Sequence, residues 1–254
     1  MSDGPLLVSR DGGLDVLVLD SQHNRNALSA RLLMDLVEQV ERSAAGPARG
    51  LVLDHAGPVF CAGVDLRERE ELGAGSQVHS TLLARLLASL WAYPKAVLCR
   101  IGGPVRGGGM GLVACSDIVV ASAQATFAYS EVRVGVAPAL VAAVAVPKAP
   151  LGALLPWLIT GEPFDAATAQ RIGLVSRVAD DSASLDPEIA AVRAGAPGAI
   201  RAVKRLSRAL GGTDVEAAIA DMEALSAELF AGDEALEGIA AFRERRPASW
   251  MASA

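Results

Sequence analysis

The stretch Ala96-Val97-Leu98-Cys99-Arg100-Ile101-Gly102-Gly103-Pro104-Val105-Arg106-Gly107-Gly108-Gly109-Met110-Gly111 sets the reading of the chain. Its first residues are apolar and partly β-branched, as a buried strand requires, and Gly102-Gly103-Pro104 ends that strand in a turn. The glycine run opens a short helix, and a further strand resumes at Ile118-Val119-Val120-Ala121. Toward the N-terminus, Gly50-Leu51-Val52-Leu53 and Leu14 to Asp20 also read as strands. Between those two, Ser29 is placed as an N-cap, with Leu32, Leu33, Leu36, Val37 and Val40 on one helical face. Leu82, Leu83, Leu86, Leu87 and Leu90 mark a second amphipathic helix. Strands alternating with helices predict an α/β chain with parallel pairing.

Toward the C-terminus, Asp165 opens a helix that closes near Gly173. Beyond Pro187 the chain becomes rich in Ala, Glu and Arg, and Val215, Ile219, Met222, Leu225 and Leu229 recur at helical spacing. The expected organisation is an α/β core over residues 1–195 and a helical section over 196–254.

Composition narrows the class. The 254 residues are 52% hydrophobic and 20% charged, a globular balance, with a formal net charge of −6. That acidity argues against nucleic-acid binding, which needs a concentrated basic face. The apolar run Val134 to Pro147 is cut by Pro138 and is shorter than the ~20 residues of a membrane span. Met1-Ser2-Asp3-Gly4-Pro5 carries no basic region followed by an apolar core, so no secretory signal is expected. Cys61, Cys99 and Cys115 are odd in number and lack a CxxC spacing, which fits reduced thiols in the cytoplasm.

Chemistry has few places to reside. His23, His55 and His79 stand in no metal-ligand spacing, and each is expected at the surface or in a loop. No serine sits in a GxSxG elbow. Two glycine turns each lie between a strand and a helix: Val59-Phe60-Cys61-Ala62-Gly63-Val64-Asp65-Leu66 and Val105-Arg106-Gly107-Gly108-Gly109-Met110-Gly111. Such turns bare backbone N–H groups to an anion or a carbonyl oxygen, and they also serve as plain tight corners. Glu131 lies in an apolar, β-prone stretch, Phe127 to Gly135. A buried acid needs a partner or a task, so Glu131 either pairs with Arg133 or another arginine or does chemistry.

The order of these features resembles the crotonase superfamily, the enoyl-CoA hydratase/isomerase family. The matching segments are Asn24 to Ser29, Phe60 to Leu66, Gly107-Gly108-Gly109, Ala114 to Ile118, Ser130 to Gly135, Leu158 to Ala166 and Glu237 to Pro247. The resemblance implies a β-β-α spiral core with a C-terminal helical section used in assembly as a homotrimer or a dimer of trimers. It implies an acyl-CoA thioester substrate, with coenzyme A entering as part of that substrate and no separate cofactor or metal. The backbone N–H groups of Ala62 and Gly108 would hold the thioester oxygen, and Glu131 would be the acid/base. Coenzyme A would lie against Arg25, Ala27, Leu28, Gly63, Val64, Asp65, Leu66 and Gly107. Phe242 and Arg245 would complete the nucleotide site of a neighbouring subunit, and the region from Arg67 to Gln77 would wall the acyl pocket.

The chain departs from the family pattern at the acids. Two-carboxylate hydratases carry a first Glu where this chain has Gly111, although members with Gly there exist. The acid of dienoyl-CoA isomerases and hydroxyacyl-CoA hydrolases matches Ala139, which argues against both activities. Three readings remain: hydration of a 2-enoyl-CoA with Glu131 alone, isomerisation of a 3-enoyl-CoA, or a non-catalytic acyl-CoA-binding paralogue. Arg106 replaces a usually apolar residue and either meets an acyl carboxylate or turns to solvent.

Overall fold

The computed structural model describes residues 4–73, 76–180, 184–211 and 215–246. The first half of the chain forms β1 (Leu6–Asp11), β2 (Leu14–Leu19), α1 (Ala30–Ala45), β3 (Gly50–His55), α2 (Leu66–Glu71), α3 (Val78–Trp91) and β4 (Ala96–Ile101). Then come β5 (Val105–Arg106), α4 (Gly108–Cys115), β6 (Ile118–Ser122), β7 (Thr126–Ala128), α5 (Ala139–Ala145) and α6 (Leu151–Thr160). The last elements are β8 (Phe164–Asp165), α7 (Ala166–Arg171), β9 (Arg177–Ala179), α8 (Asp186–Ala194), α9 (Pro197–Gly211), α10 (Val215–Ala231) and α11 (Asp233–Glu244).

The main sheet has six strands in the order β1-β2-β3-β4-β6-β9. Only the β1–β2 pair is antiparallel; the remaining pairs are parallel, as the alternation of strands and helices predicts. Side-chain alternation sends Leu51, Leu53, Val97, Cys99 and Ile101 into the main core beneath α1, α3 and α4. Val52, Ala96, Leu98 and Val120 point the other way, against Leu185 and Val192. Burial on both faces explains why these strands read as nearly continuous apolar runs.

Local signals behave as expected at the helix ends. The Ser29 hydroxyl accepts from the Leu32 N–H, and Leu32, Leu33, Leu36, Val37 and Val40 are all buried. Asp165 caps α7 through the Thr168 N–H, and Gly173 sits just past that helix at φ +88°. The strand β1 escaped the sequence pattern because it is an edge strand with only Leu6 buried. The run from Val134 to Pro147 contains α5, started by Pro138, rather than an unbroken apolar segment. No helix among the described residues is long and apolar enough to cross a membrane.

The chain passes position 195, the expected boundary, between α8 and α9. It then returns to the core. α10 packs on α3 and α5, with Val215 and Ile219 entering the main core, and α11 packs on the turn that carries Glu131. There Gly238 meets the Val134 backbone so closely that a Cβ would lie 2.4 Å from Val134 C.

Candidate active site

Backbone contacts bring the two glycine turns together. The N–H groups of Phe60 and Cys61 donate to Pro104 O, and the Arg106 N–H donates to Cys61 O at 2.9 Å. This lays the segment before Ala62 alongside β5. Gly63 adopts φ +96° and Gly107 φ +49°, conformations that favour glycine. A Cβ on Gly107 would lie 3.4 Å from Gly63 Cα and 3.5 Å from Glu131 Oε1, so both turns and the carboxyl converge on one point.

The amides there are differently employed. Gly63 and Gly109 direct their N–H groups to Cys61 Sγ, and Gly107 donates to Ala128 O. The N–H groups of Ala62 and Gly108 take no partner among the described residues. Gly108 begins α4, so its N–H is one of the free donors of a helix start.

Glu131 lies in a 3-10 turn, Ser130–Val134, not in the strand that its apolar surroundings predict. That turn ends at Gly135, at φ +80°. The residue as a whole faces a pocket, but its Oε2 is sealed from solvent with no hydrogen-bond partner among the described residues. Burial pushes the carboxyl up to about 7. The ion pair with Arg133 is not formed; Arg133 pairs with Glu162 instead.

The pocket has a volume of about 150 Å³. Ala62, Gly63, Val64, Leu66, Gly107, Gly108 and Glu131 all line it, with apolar walls from Leu83, Val134 and Leu140. Ser226 and Phe230 of α10 and Phe242 of α11 close it. Phe242 therefore stands at the pocket of its own chain while remaining 60% exposed. The cause is the close seating of α11 on the Val134–Gly135 backbone.

The other expected residues lie outside the lining. Leu28 supports it from behind, its N–H on Gly63 O at 2.7 Å and its carbonyl accepting from Asp65 N–H. Asp65 caps α2 and accepts from Asn24 Nδ2, and Ala27 is buried nearby in sequence. Arg25 and Arg245 are exposed, each with a left-handed backbone.

Comparison with known proteins identifies the family. The family model for enoyl-CoA hydratase/isomerase matches residues 10–253. The chain belongs to that family, and with it to the crotonase superfamily.

Among its relatives, a Thermus thermophilus protein provisionally named as an enoyl-CoA hydratase is 34% identical over 93% of this chain and 96% of its own. The 2,3-dehydroadipyl-CoA hydratase of Escherichia coli is 29% identical over 95% of this chain and 96% of its own. The solved structure of an enoyl-CoA hydratase from Mycobacterium avium superposes with a TM-score of 0.86 at 35% identity, covering 98% of this chain and 100% of that one.

Within this family the vacancy at Gly111 has a packing cause. A Cβ there would lie 2.7 Å from Leu87 Cδ2, so Leu87 fills the space that a first glutamate would need. Arg106 neither faces the pocket nor turns to solvent: its guanidinium bonds Val105 O, Thr126 O and Thr126 Oγ1, tying β5 to β7.

Two of the three histidines contradict the surface expectation. His55 is buried and accepts the Gly102 N–H on Nε2, and burial lowers its pKa. His79 is buried in α3 against Glu68, 2.9 Å away. Strand ends and helix faces placed them inward, which isolated histidines in a sequence do not reveal.

Sequence reasoning also missed Arg69. It belongs to the charged segment from Arg67 to Glu71, which reads as a solvated face. Arg69 is nevertheless only 4% exposed, with its Cζ 3.6 Å from the centre of the Phe230 ring and its Nη1 without a hydrogen bond among the described residues. A desolvated cation–π contact returns about 2 kcal/mol, whereas burying an ion costs several kcal/mol before any partner compensates. The ring alone does not balance the burial. Nothing local in the sequence separates Arg69 from exposed Arg67; the contact comes from α10, at the far end of the chain.

Proposed function

We propose that this family member hydrates a 2-enoyl-CoA thioester, with Ala62 and Gly108 holding the thioester oxygen and Glu131 as the single acid/base. The observation that carries the reading is a Glu131 carboxyl, its Oε2 sealed and unpartnered, in a pocket also lined by Ala62 and Gly108, whose backbone N–H groups are unemployed. As water adds to C3, its proton passes to the Glu131 carboxylate and negative charge moves onto the thioester oxygen. The two amides stabilise that charge without reorganising, an effect worth about 3 kcal/mol per donor. Glu131 then returns the proton to C2, so one molecule of water is added and the carboxylate is regenerated. A carboxyl near pH 7 is suited to both transfers.

The pocket is small beside the ~300–1,000 Å³ of typical ligand sites, which favours a short acyl group within it. Coenzyme A would run outward past Arg25, Ala27, Leu28, Asp65 and Arg245. By family likeness, assembly would be a homotrimer or a dimer of trimers.

A second reading has its own support. Glu131 is the only carboxylate lining the pocket among the described residues, and moving a proton from C2 to C4 of a 3-enoyl-CoA needs only one base. A panel of 2-enoyl and 3-enoyl esters separates the two, because hydration consumes the conjugated thioester absorbance and isomerisation creates it. Hydration is expected, with Glu131→Gln lowering kcat by about 10³-fold while saturated acyl-CoA binding persists. Unchanged turnover in Glu131→Gln removes Glu131 from the mechanism. Binding of CoA esters with no turnover of any panel member by the wild-type protein identifies a non-catalytic paralogue.

A further inference from the structure

Arg69 is the charged group beside the pocket that the proposed chemistry leaves without a task. Among the described residues no carboxylate comes within ion-pair reach of its guanidinium, and burial is the sole influence on its basicity, which it lowers. The acids of its own helix are engaged elsewhere or exposed. Glu68 accepts from the Ala30 N–H and meets His79, Glu70 pairs with Arg243, and Glu71 faces solvent.

Its position ties it to the pocket. Leu66, one turn earlier on α2, is part of the lining, and so is the Phe230 ring on which the guanidinium rests. Ser226, one turn before Phe230 on α10, is a buried residue of the same lining, and its hydroxyl takes no hydrogen bond among the described residues. Arg69 is not itself part of the lining; Leu66 and Phe230 join it to a wall to which Ser226 contributes a hydroxyl.

We propose that Arg69, reached past the Phe230 ring, is the receptor for a carboxylate at the far end of the acyl chain, so that the preferred ligands are ω-carboxyacyl thioesters of coenzyme A. This rests on the reading of the pocket as an acyl-CoA site. A guanidinium offers a carboxylate two parallel donors, which makes the pair both strong and selective. The phosphates of coenzyme A fit the place poorly: Arg69 lies beneath the surface, whereas Arg25, Arg67 and Arg245 are exposed.

The test uses saturated esters, so it needs no turnover. Adipyl-CoA and hexanoyl-CoA are titrated calorimetrically into the wild-type protein, Arg69→Met and Arg69→Lys, with free coenzyme A as a control. Wild-type protein is expected to bind adipyl-CoA at least ~10-fold more tightly than hexanoyl-CoA, the scale of a charged hydrogen bond. Arg69→Met is expected to erase that preference while hexanoyl-CoA binding stays within about threefold, and Arg69→Lys to keep part of it. Equal affinity of wild-type protein for the two esters overturns the proposal, whether or not a variant folds. An equal loss of adipyl-CoA, hexanoyl-CoA and coenzyme A in Arg69→Met also overturns it, because the anion is then a nucleotide phosphate. An adipyl preference in a protein that turns over no enoyl ester upholds the subsite and rejects the catalytic reading. Enoyl turnover without that preference does the reverse.

Discussion

Glu131, which lines the pocket, and Arg69, which lies against the pocket residue Phe230, each carry a sealed polar atom without an ion-pair partner among the described residues, and they respond to burial in opposite ways. Glu131 sheds its charge, because a carboxyl pushed up to about 7 is half protonated at neutral pH. Arg69 is lowered by burial too, yet a guanidinium remains charged under any working condition. The first group is suited to passing a proton, the second to meeting a fixed negative charge. Burial without a partner thus has two functional meanings, set by whether the group can neutralise itself.

Stability against pH breaks this contrast most directly. The folded Glu131 carboxyl lies near 7 and the usual value is 4.5, so between those limits the folded state holds a proton that the unfolded state has lost. Its contribution is therefore most favourable below pH 4.5 and falls by at most roughly 3 kcal/mol as the pH rises through 7. Glu131→Gln should match wild type at pH 4.5 and exceed it by up to about 3 kcal/mol at pH 8 in urea unfolding. Arg69→Met, which keeps an apolar stem on Phe230, should gain about 1–3 kcal/mol equally at both pH values. A loss of stability in Arg69→Met at both would mean that the cation holds α2 to α10 and that the contrast is false.

The next largest effect asks whether Glu131 acts alone or with the amides. Gly108→Val drives a side chain toward Leu28 Cδ1 and Leu83 Cδ2, 2.9 and 3.3 Å from the Cβ position, and displaces the Gly108 N–H. The expected result is a fall in kcat/KM of about 10²-fold, or 2.7 kcal/mol, with near-ultraviolet dichroism retained. Wild-type kinetics in that variant would leave the carboxyl as the whole mechanism.

The smallest effect concerns why Glu131 stands alone. Gly111→Glu should lose about 1–3 kcal/mol by overpacking against Leu87, measured as a lower Tm, and Leu87→Ala in the same chain should restore part of it. Full stability in the single variant would show that packing does not close the Gly111 slot.

The fold was largely legible because its signals are short-range. The Ser29 cap, the Asp165 cap, the leucine spacing of α3 and the apolar runs of β3, β4 and β6 each act over one element. Where the pattern was weak, it failed for a physical reason: β1 buries one residue, and Glu131 sits in a turn whose apolar neighbours mimic a strand. The candidate site was legible as positions more than as environments. Ala62, Gly108 and Glu131 do share a pocket. Arg106, singled out as a possible anion receptor, is consumed by Thr126, while Arg69 was hidden in a charged segment.

From the sequence by itself came the alternation of strands and helices, the glycine turns, the position of the acid and the missing second acid at Gly111. Those follow from backbone propensities and periodicities that operate within a few residues. Only the tertiary structure decided that Arg133 is taken by Glu162, that Leu87 occupies the Gly111 slot, and that Arg69 lies under a ring from α10. Partnership and burial depend on which distant segments touch, and a charge gains its meaning from what it touches or fails to touch.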